Sequence, residues 1–321
     1  MLAPIQIVKD LYTQVKRVIE KITDAIYLPG FEGASLYEVA SLFLSYVGKQ
    51  RFNLYAGALS FNFFLALFPS IIFLFTLIAY FPINDIQGKV LSMMEDFLPD
   101  ATFKTIQDTV SDILSIQRTG LLSVGFLTAI YFASNGFHTL IKAFESSMED
   151  DIRKKRNFFK KRMRSIGITF IVSMLLILAI IVKLASVYIS TLIANLGVNE
   201  FILNIGLSVF EVIILASLVF FIISFIYYIG HSSIAKWKFF SPGSIVATVL
   251  SLAMTYIFSS YVNHFNAYNK LYGSIGAIIA LMLVIYVNVY SILIGYELNH
   301  SINKVSIKKM REDKKKNKIK I

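Results

Sequence analysis

The stretch from Ser241 to His300 constrains this chain more than any other. Two mostly apolar runs flank one short polar segment, Asn263–Tyr272. Each run is about twenty residues long, the length that crosses a bilayer as a helix. The first run repeats a small or short polar residue at every fourth position: Gly243, Ala247, Ser251, Thr255 and Ser259. Residues four apart share a helix face. Water cannot drive membrane helices together, so faces of small residues that allow close backbone approach do that work instead. The spacing predicts that this face packs tightly on another helix.

The rest of the chain follows the same pattern. Of its 321 residues, 56% are hydrophobic and 16% are charged, against about 25% charged in soluble domains. The apolar residues come in long blocks, which mean membrane spans. Six blocks are expected to cross, at Tyr55–Phe81, Leu121–Phe144, Ser165–Ile189, Phe201–Ile229, Pro242–Val262 and Gly273–Asn299. The expected fold is therefore all-α: a polytopic membrane protein with six transmembrane helices. The chain has no cysteine, which excludes disulfides, a thiolate nucleophile and cysteine-ligated metal.

The net charge is +11, and 17 of the 31 Lys and Arg fall within Arg153–Arg164 and Lys304–Lys320. Basic loops beside apolar spans follow the positive-inside rule, so the charge is read as topology and nucleic acid is not an expected partner. Segment 82–120 has three bases against six acids and belongs outside. The bases of 149–164, 231–238 and the tail place those segments inside. Both termini are then cytoplasmic. The first fifty residues lack an apolar core followed by a small-residue cleavage site, so the first span is expected to direct insertion.

Three regions result. Residues 1–53 form an amphipathic cytoplasmic segment, 54–300 a six-helix transmembrane domain with outer loop 82–120, and 301–321 a basic cytoplasmic tail. In the first region, apolar residues recur at helical spacing through Ile7–Ile26 with lysines and an arginine between them, a pattern suited to a membrane surface or to another cytoplasmic helix. Leu36–Val47 reads as a second such helix. The outer loop is long for a connection and carries helical spacing at Val90–Phe97 and Phe103–Ile113.

Several stretches resemble the YihY/BrkB family of bacterial inner-membrane proteins. Tyr268, Asn269, Tyr272 and Gly273 resemble its Tyr-Asn-x-x-Tyr-Gly hairpin. Gly295, Glu297, Leu298 and Asn299 resemble its closing Gly-x-Glu-Leu-Asn. Gly57–Phe75 with Pro69, Phe97–Asp100 and Gly120–Glu145 resemble the first span, the outer-loop break and the second span. Many relatives carry an arginine near the position of Asn135. The resemblance implies a multi-pass protein of the bacterial cytoplasmic (inner) membrane. Some family members have been labelled ribonuclease BN.

Polar groups inside spans are the candidates for function, because lipid penalises them. Glu211 sits about ten residues into the fourth span with no adjacent base. Asn62, Asn135 and Asn288 are uncharged polar groups within spans. These four are the candidate substrate path, and interhelical hydrogen bonding is the alternative role for the asparagines. Lys142 and Lys183 lie near span ends and can snorkel to headgroups. Glu297 is near the inner end of the last span. The histidines, His138, His231, His264 and His300, are scattered without metal-ligand spacing, and no nucleophile elbow, P-loop or zincin motif is present.

These readings converge on an integral membrane protein that moves or handles a lipid or another amphipathic substrate. No enzymatic activity, metal or cofactor is expected, and membrane lipids are the expected partners. A non-transporting scaffold or envelope-integrity factor is the first alternative, and a membrane-associated ribonuclease the second.

Overall fold

The structure, a computed structural model, describes residues 28–47, 50–80, 88, 90–92, 100–147, 157–194, 200–231, 238–264 and 266–319. Among the described residues every regular element is a helix. They are α1 Leu36–Val47, α2 Gln50–Ile78, α3 Asp100–Ser115, α4 Thr119–Ser146, α5 Phe158–Ala194, α6 Glu200–Gly230, α7 Pro242–His264 and α8 Asn266–Ile319. The proposed surface helix Ile7–Ile26 lies outside the described residues, as does most of Val90–Phe97. The expected helix at Phe103–Ile113 lies within α3.

Five helices are long and apolar enough to cross a membrane, over Phe52–Ile78, Thr119–Ser147, Phe158–Val182, Gly206–Gly230 and Ile278–Glu312. Their outward faces explain why water is the wrong solvent. On α5, Phe170, Met174, Ile177 and Ile181 are exposed at successive turns. A soluble monomer rarely shows such a continuous apolar stripe, whereas a bilayer solvates it. The inward faces build one core in which Leu59, Ile141, Phe144, Ile168, Tyr227 and Tyr296 are almost fully buried.

Helix α2 packs on α4, α7 on α8, and α5 bridges α4 to α6. Within α2, Pro69 has no N–H to offer the Leu65 carbonyl. One residue on, the Ser70 hydroxyl donates to the Ala66 carbonyl at 2.7 Å. One backbone acceptor beside the proline, the Ala66 carbonyl, thereby gains a polar partner where lipid offers none.

The last helix departs from the expected boundaries at both ends. It begins at Asn266, so most of the polar segment read as a hairpin is helical backbone. It also continues past His300 to Ile319 instead of yielding to a separate tail. The reason lies in its sequence. Leu298, Ile302 and Val305 extend the apolar stripe at steps of four and three. Ile302 and Val305 bury against Phe31, Ala34 and Val39, forming a second, smaller core with the N-terminal segment.

Helix α1 starts with a capping box. The Ser35 hydroxyl accepts from the Glu38 N–H at 3.3 Å, and the Glu38 carboxylate accepts from the Ser35 N–H at 3.2 Å. Lys309 of α8 then pairs with Glu38 at 2.7 Å and donates to the Gly33 carbonyl at 3.1 Å. These contacts fasten α1 to the extended last helix. Burial pushes the Glu38 carboxyl up, but Lys309 and the Ser35 hydrogen bonds outweigh it and hold it below its ordinary value.

Candidate functional site

The closing Gly-x-Glu-Leu-Asn stretch of α8 meets the first turn of α7. Ser241 precedes Pro242, which suits the first helical position because that N–H would be unpaired there anyway. The Ser241 hydroxyl accepts from the Ser244 N–H at 3.2 Å. From α8, the Asn299 side-chain oxygen accepts from the Gly243 N–H at 2.8 Å, and its amide nitrogen donates to the Ser241 hydroxyl at 2.8 Å. One helix-terminal donor, the Gly243 N–H, is therefore satisfied from 56 residues away, and the capping Ser241 hydroxyl receives a hydrogen bond from 58 residues away.

This cap needs the backbones to be very close. A Cβ on Gly243 would overlap the Gly295 carbonyl oxygen and sit 2.6 Å from the Asn299 carboxamide. A Cβ on Gly295 would overlap the Gly243 carbonyl oxygen and lie 2.6 Å from both Ala247 and the Tyr227 hydroxyl. The every-fourth face of α7 makes this contact: Gly243, Ala247 and Ser251 are buried. One turn further, Asn288 donates to the Thr255 hydroxyl at 3.2 Å. The Tyr227 hydroxyl donates to the Ile292 carbonyl at 2.6 Å, tying α6 to the same region of α8.

Glu297, between Gly295 and Asn299, faces the other way. It lines a cleft of about 220 Å³ together with Tyr46 of α1, Phe52 and Tyr55 of α2, and Ser146 and Ser147 at the end of α4. Ala143 and Leu293 complete its wall. Glu297 is only 4% exposed, and its carboxylate accepts a hydrogen bond from the Ser147 hydroxyl. The cleft thus combines aromatic and aliphatic walls with a buried acid and two serine hydroxyls. Beside it, Lys304 donates to the Tyr46 hydroxyl at 2.9 Å, with its ammonium 5.4 Å from the ring centre.

None of the four candidate path residues lines this cleft. Each instead bonds to a neighbouring helix. Asn62 donates to Thr139 at 3.3 Å, Asn135 accepts from Arg162 at 2.6 Å, and Glu211 accepts from Ser186 at 3.1 Å. Asn62 and Asn135 are brought near one another, because the Thr139 hydroxyl also donates to the Asn135 carbonyl at 3.0 Å. Glu211 and Asn288 lie on other interfaces. Arg162, whose guanidinium also stands 5.3 Å from the Tyr131 ring centre, brings a cationic donor to Asn135 from the neighbouring helix. The side chains of Tyr268, Asn269, Tyr272 and Lys183 lie outside the described residues, as does Gly273 beyond its helical backbone. Lys142 is exposed, as its place near a span end implies.

Sequence reasoning missed the individual roles of the basic residues in the first turns of α5. Lys161 pairs with the buried Glu145 of α4 at 2.5 Å. Arg164 donates to the Ile229 carbonyl at 2.7 Å, at the C-terminus of α6, where helix carbonyls lack intrahelical partners. A basic side chain there also complements the helix dipole. The available signal was an acid ending one span and bases opening the next. Among the described residues no group of three or more His, Cys, Asp or Glu is gathered in one place.

The long apolar helices, their lipid-facing stripes and their small-residue contacts define a multi-pass α-helical membrane protein. The chain belongs to the BrkB family: the family profile described as Virulence factor BrkB matches residues 43–320. The ribonuclease-like protein YfkH of Bacillus subtilis (strain 168) is 29% identical over 273 residues, covering 84% of this chain and 95% of that protein. A UPF0761 membrane protein of Histophilus somni (strain 2336) is 23% identical over 286 residues, 85% of this chain and 96% of its own. One from Haemophilus influenzae (strain 86-028NP) is 23% identical over 276 residues, covering 84% and 97%. No solved structure matches the chain.

Proposed function

We propose that this chain is a six-span protein of the bacterial cytoplasmic membrane, with both termini inside, that moves or handles a lipid or another amphipathic substrate. Helix α7 supplies the sixth span. Its 23 residues extend about 34 Å at 1.5 Å per residue, against a hydrocarbon core of about 30 Å. The charge of the loops supports the orientation, since the bases concentrate on alternate connections and in the tail. The cleft carries the functional reading: a carboxylate 4% exposed, two serine hydroxyls and three aromatic rings share one concavity of a membrane protein. Such a mixture suits a molecule with a polar head and an apolar body. No enzymatic step is part of this reading.

The test is reconstitution into liposomes carrying a headgroup-labelled lipid in both leaflets. Protein-containing liposomes should expose inner-leaflet label to an impermeant quencher faster than protein-free ones. Equal rates across phospholipid classes and amphiphilic solutes would sink the transport reading.

The name of YfkH favours a second reading, a ribonuclease-like activity. Purified protein incubated with RNA and divalent metal decides it. Cleavage that follows the protein through purification would support this reading against the first.

A further inference from the structure

We infer that the cleft beside Glu297 is a binding site for the ammonium group of an amine-headed amphiphile. The choice of an amphiphile rests on the lipid-handling reading above, whereas the ammonium preference stands on the cleft itself. Three features point to this ligand.

The first is size. A volume of about 220 Å³ falls below the roughly 300–1,000 Å³ of pockets that enclose drug-sized molecules. It fits a headgroup and leaves the attached tail outside, along the apolar surfaces of the adjoining helices.

The second is the set of polar groups. Among the described lining residues the ionisable acid is Glu297, and its polar company is the hydroxyls of Ser146, Ser147, Tyr46 and Tyr55. A carboxylate only accepts hydrogen bonds, and a hydroxyl accepts as readily as it donates. An ammonium group only donates, with three hydrogens in its primary form. A charge-assisted bond to a mostly buried carboxylate is stronger than a neutral one. An anionic headgroup would instead face Glu297 as a like charge.

The third is the aromatic wall. Tyr46, Phe52 and Tyr55 line the cleft from the α1–α2 side. Aromatic faces attract cations, and more strongly where water is excluded. The Lys304 ammonium meets Tyr46 at its hydroxyl edge, 2.9 Å from the oxygen and 5.4 Å from the ring centre, so the ring itself remains a wall of the cleft. Burial of Tyr46 and Phe52, at 7% and 6% exposure, holds the wall in place before any ligand arrives.

The experiment is thermal unfolding of the full chain in a neutral detergent, with added hexylamine, hexyl sulfate, short-chain phosphatidylethanolamine or short-chain phosphatidylglycerol. A ligand that binds the folded state raises the unfolding temperature in proportion to its occupancy. Hexylamine and phosphatidylethanolamine should stabilise the protein, and Glu297→Gln should weaken both by at least about tenfold in apparent affinity. A larger effect of the phospholipid than of hexylamine assigns the site to a lipid headgroup, and equal effects assign it to free amines as well. Equal stabilisation by the anionic compounds, or no loss in Glu297→Gln, overturns the inference. Should Glu297→Gln fail to fold, Tyr55→Leu, at a half-buried position, must lower amine affinity without creating affinity for hexyl sulfate. Unchanged amine affinity in Tyr55→Leu likewise overturns it. Liposome transport is a separate measurement, so its failure leaves this binding result intact, and the reverse also holds.

Discussion

The Asn299 carboxamide accepts from the Gly243 N–H at 2.8 Å across the junction of the last two helices, while its other end donates to Ser241. One amide thereby caps a helix and fixes how closely its own helix can approach. In lipid an unpaired backbone group is costly, because no water replaces the missing partner. The chemistry of this joint is thus geometric: Gly295 and Gly243 clear the space, and Asn299 fills the hydrogen-bonding demand that the close approach creates.

Gly243→Ala should destabilise the protein by about 1–3 kcal/mol or prevent its folding, because the new methyl overlaps the Gly295 carbonyl and crowds Asn299. Gly57→Ala is the control. Nothing stands within 4 Å of a Cβ there, and alanine favours helix over glycine by up to about 1 kcal/mol. Thermal unfolding in detergent should show a large loss for the first variant and none for the second. Similar behaviour of the two would contradict the close contact.

Asn299→Leu and Asn299→Asp separate capping from packing. Aspartate keeps an acceptor for the Gly243 N–H and places a negative charge at a helix N-terminus, which the dipole favours. Leucine keeps the approximate size and removes both hydrogen bonds. The expected order of unfolding temperature is wild type, then Asp, then Leu, with Leu losing about 1–2 kcal/mol for the lost cap. A leucine variant as stable as the aspartate variant would show that the amide contributes packing alone.

Five long apolar helices and the α7–α8 contact were legible because both are repeated signals. Length reports a span, and five small residues in phase report a face. The residues that glue helices were legible only as single polar groups. Asn62, Asn135, Glu211 and Asn288 stand out in apolar sequence, but nothing local names Thr139, Arg162, Ser186 or Thr255 as their partners. Charge counting also hides geometry. It assigns Lys161, Arg162 and Arg164 to an inner loop as a group, yet each has its own acceptor. The extension of α8 was masked for a related reason. Ile302 and Val305 are two apolar positions in a basic sequence, and their significance depends on Phe31 and Val39, far away along the chain.

The pair of Glu145 and Lys161 should be asymmetric to mutation. Their side chains are 10% and 21% exposed, so removing one partner leaves a charge in poor solvent. Breaking a buried pair costs about 3–5 kcal/mol, whereas replacing both members by apolar residues of similar size is often close to neutral. Lys161→Met should therefore unfold at a markedly lower temperature, and Glu145→Leu combined with Lys161→Met should recover much of the loss. A double variant no better than the single would show that Glu145 is held by other contacts.

The α1–α8 fastening should weaken in acid. Glu38 titrates below the ordinary glutamate value in the folded protein, because Lys309 and Ser35 favour its charged form more than burial opposes it. A carboxyl depressed on folding contributes stability that is present above its unfolded pKa and is lost as pH falls through the folded one. Its side chain is 41% exposed, so solvent screening keeps the effect modest and salt-sensitive. Hydrogen exchange at the amides of Val39 and its neighbours should accelerate, relative to the intrinsic rate, as pH drops through the acidic carboxylate range. Glu38→Gln should exchange faster at neutral pH and lose most of that pH dependence. Protection that stays constant in the wild type across this range would assign the docking of α1 to Phe31, Val39, Ile302 and Val305 alone.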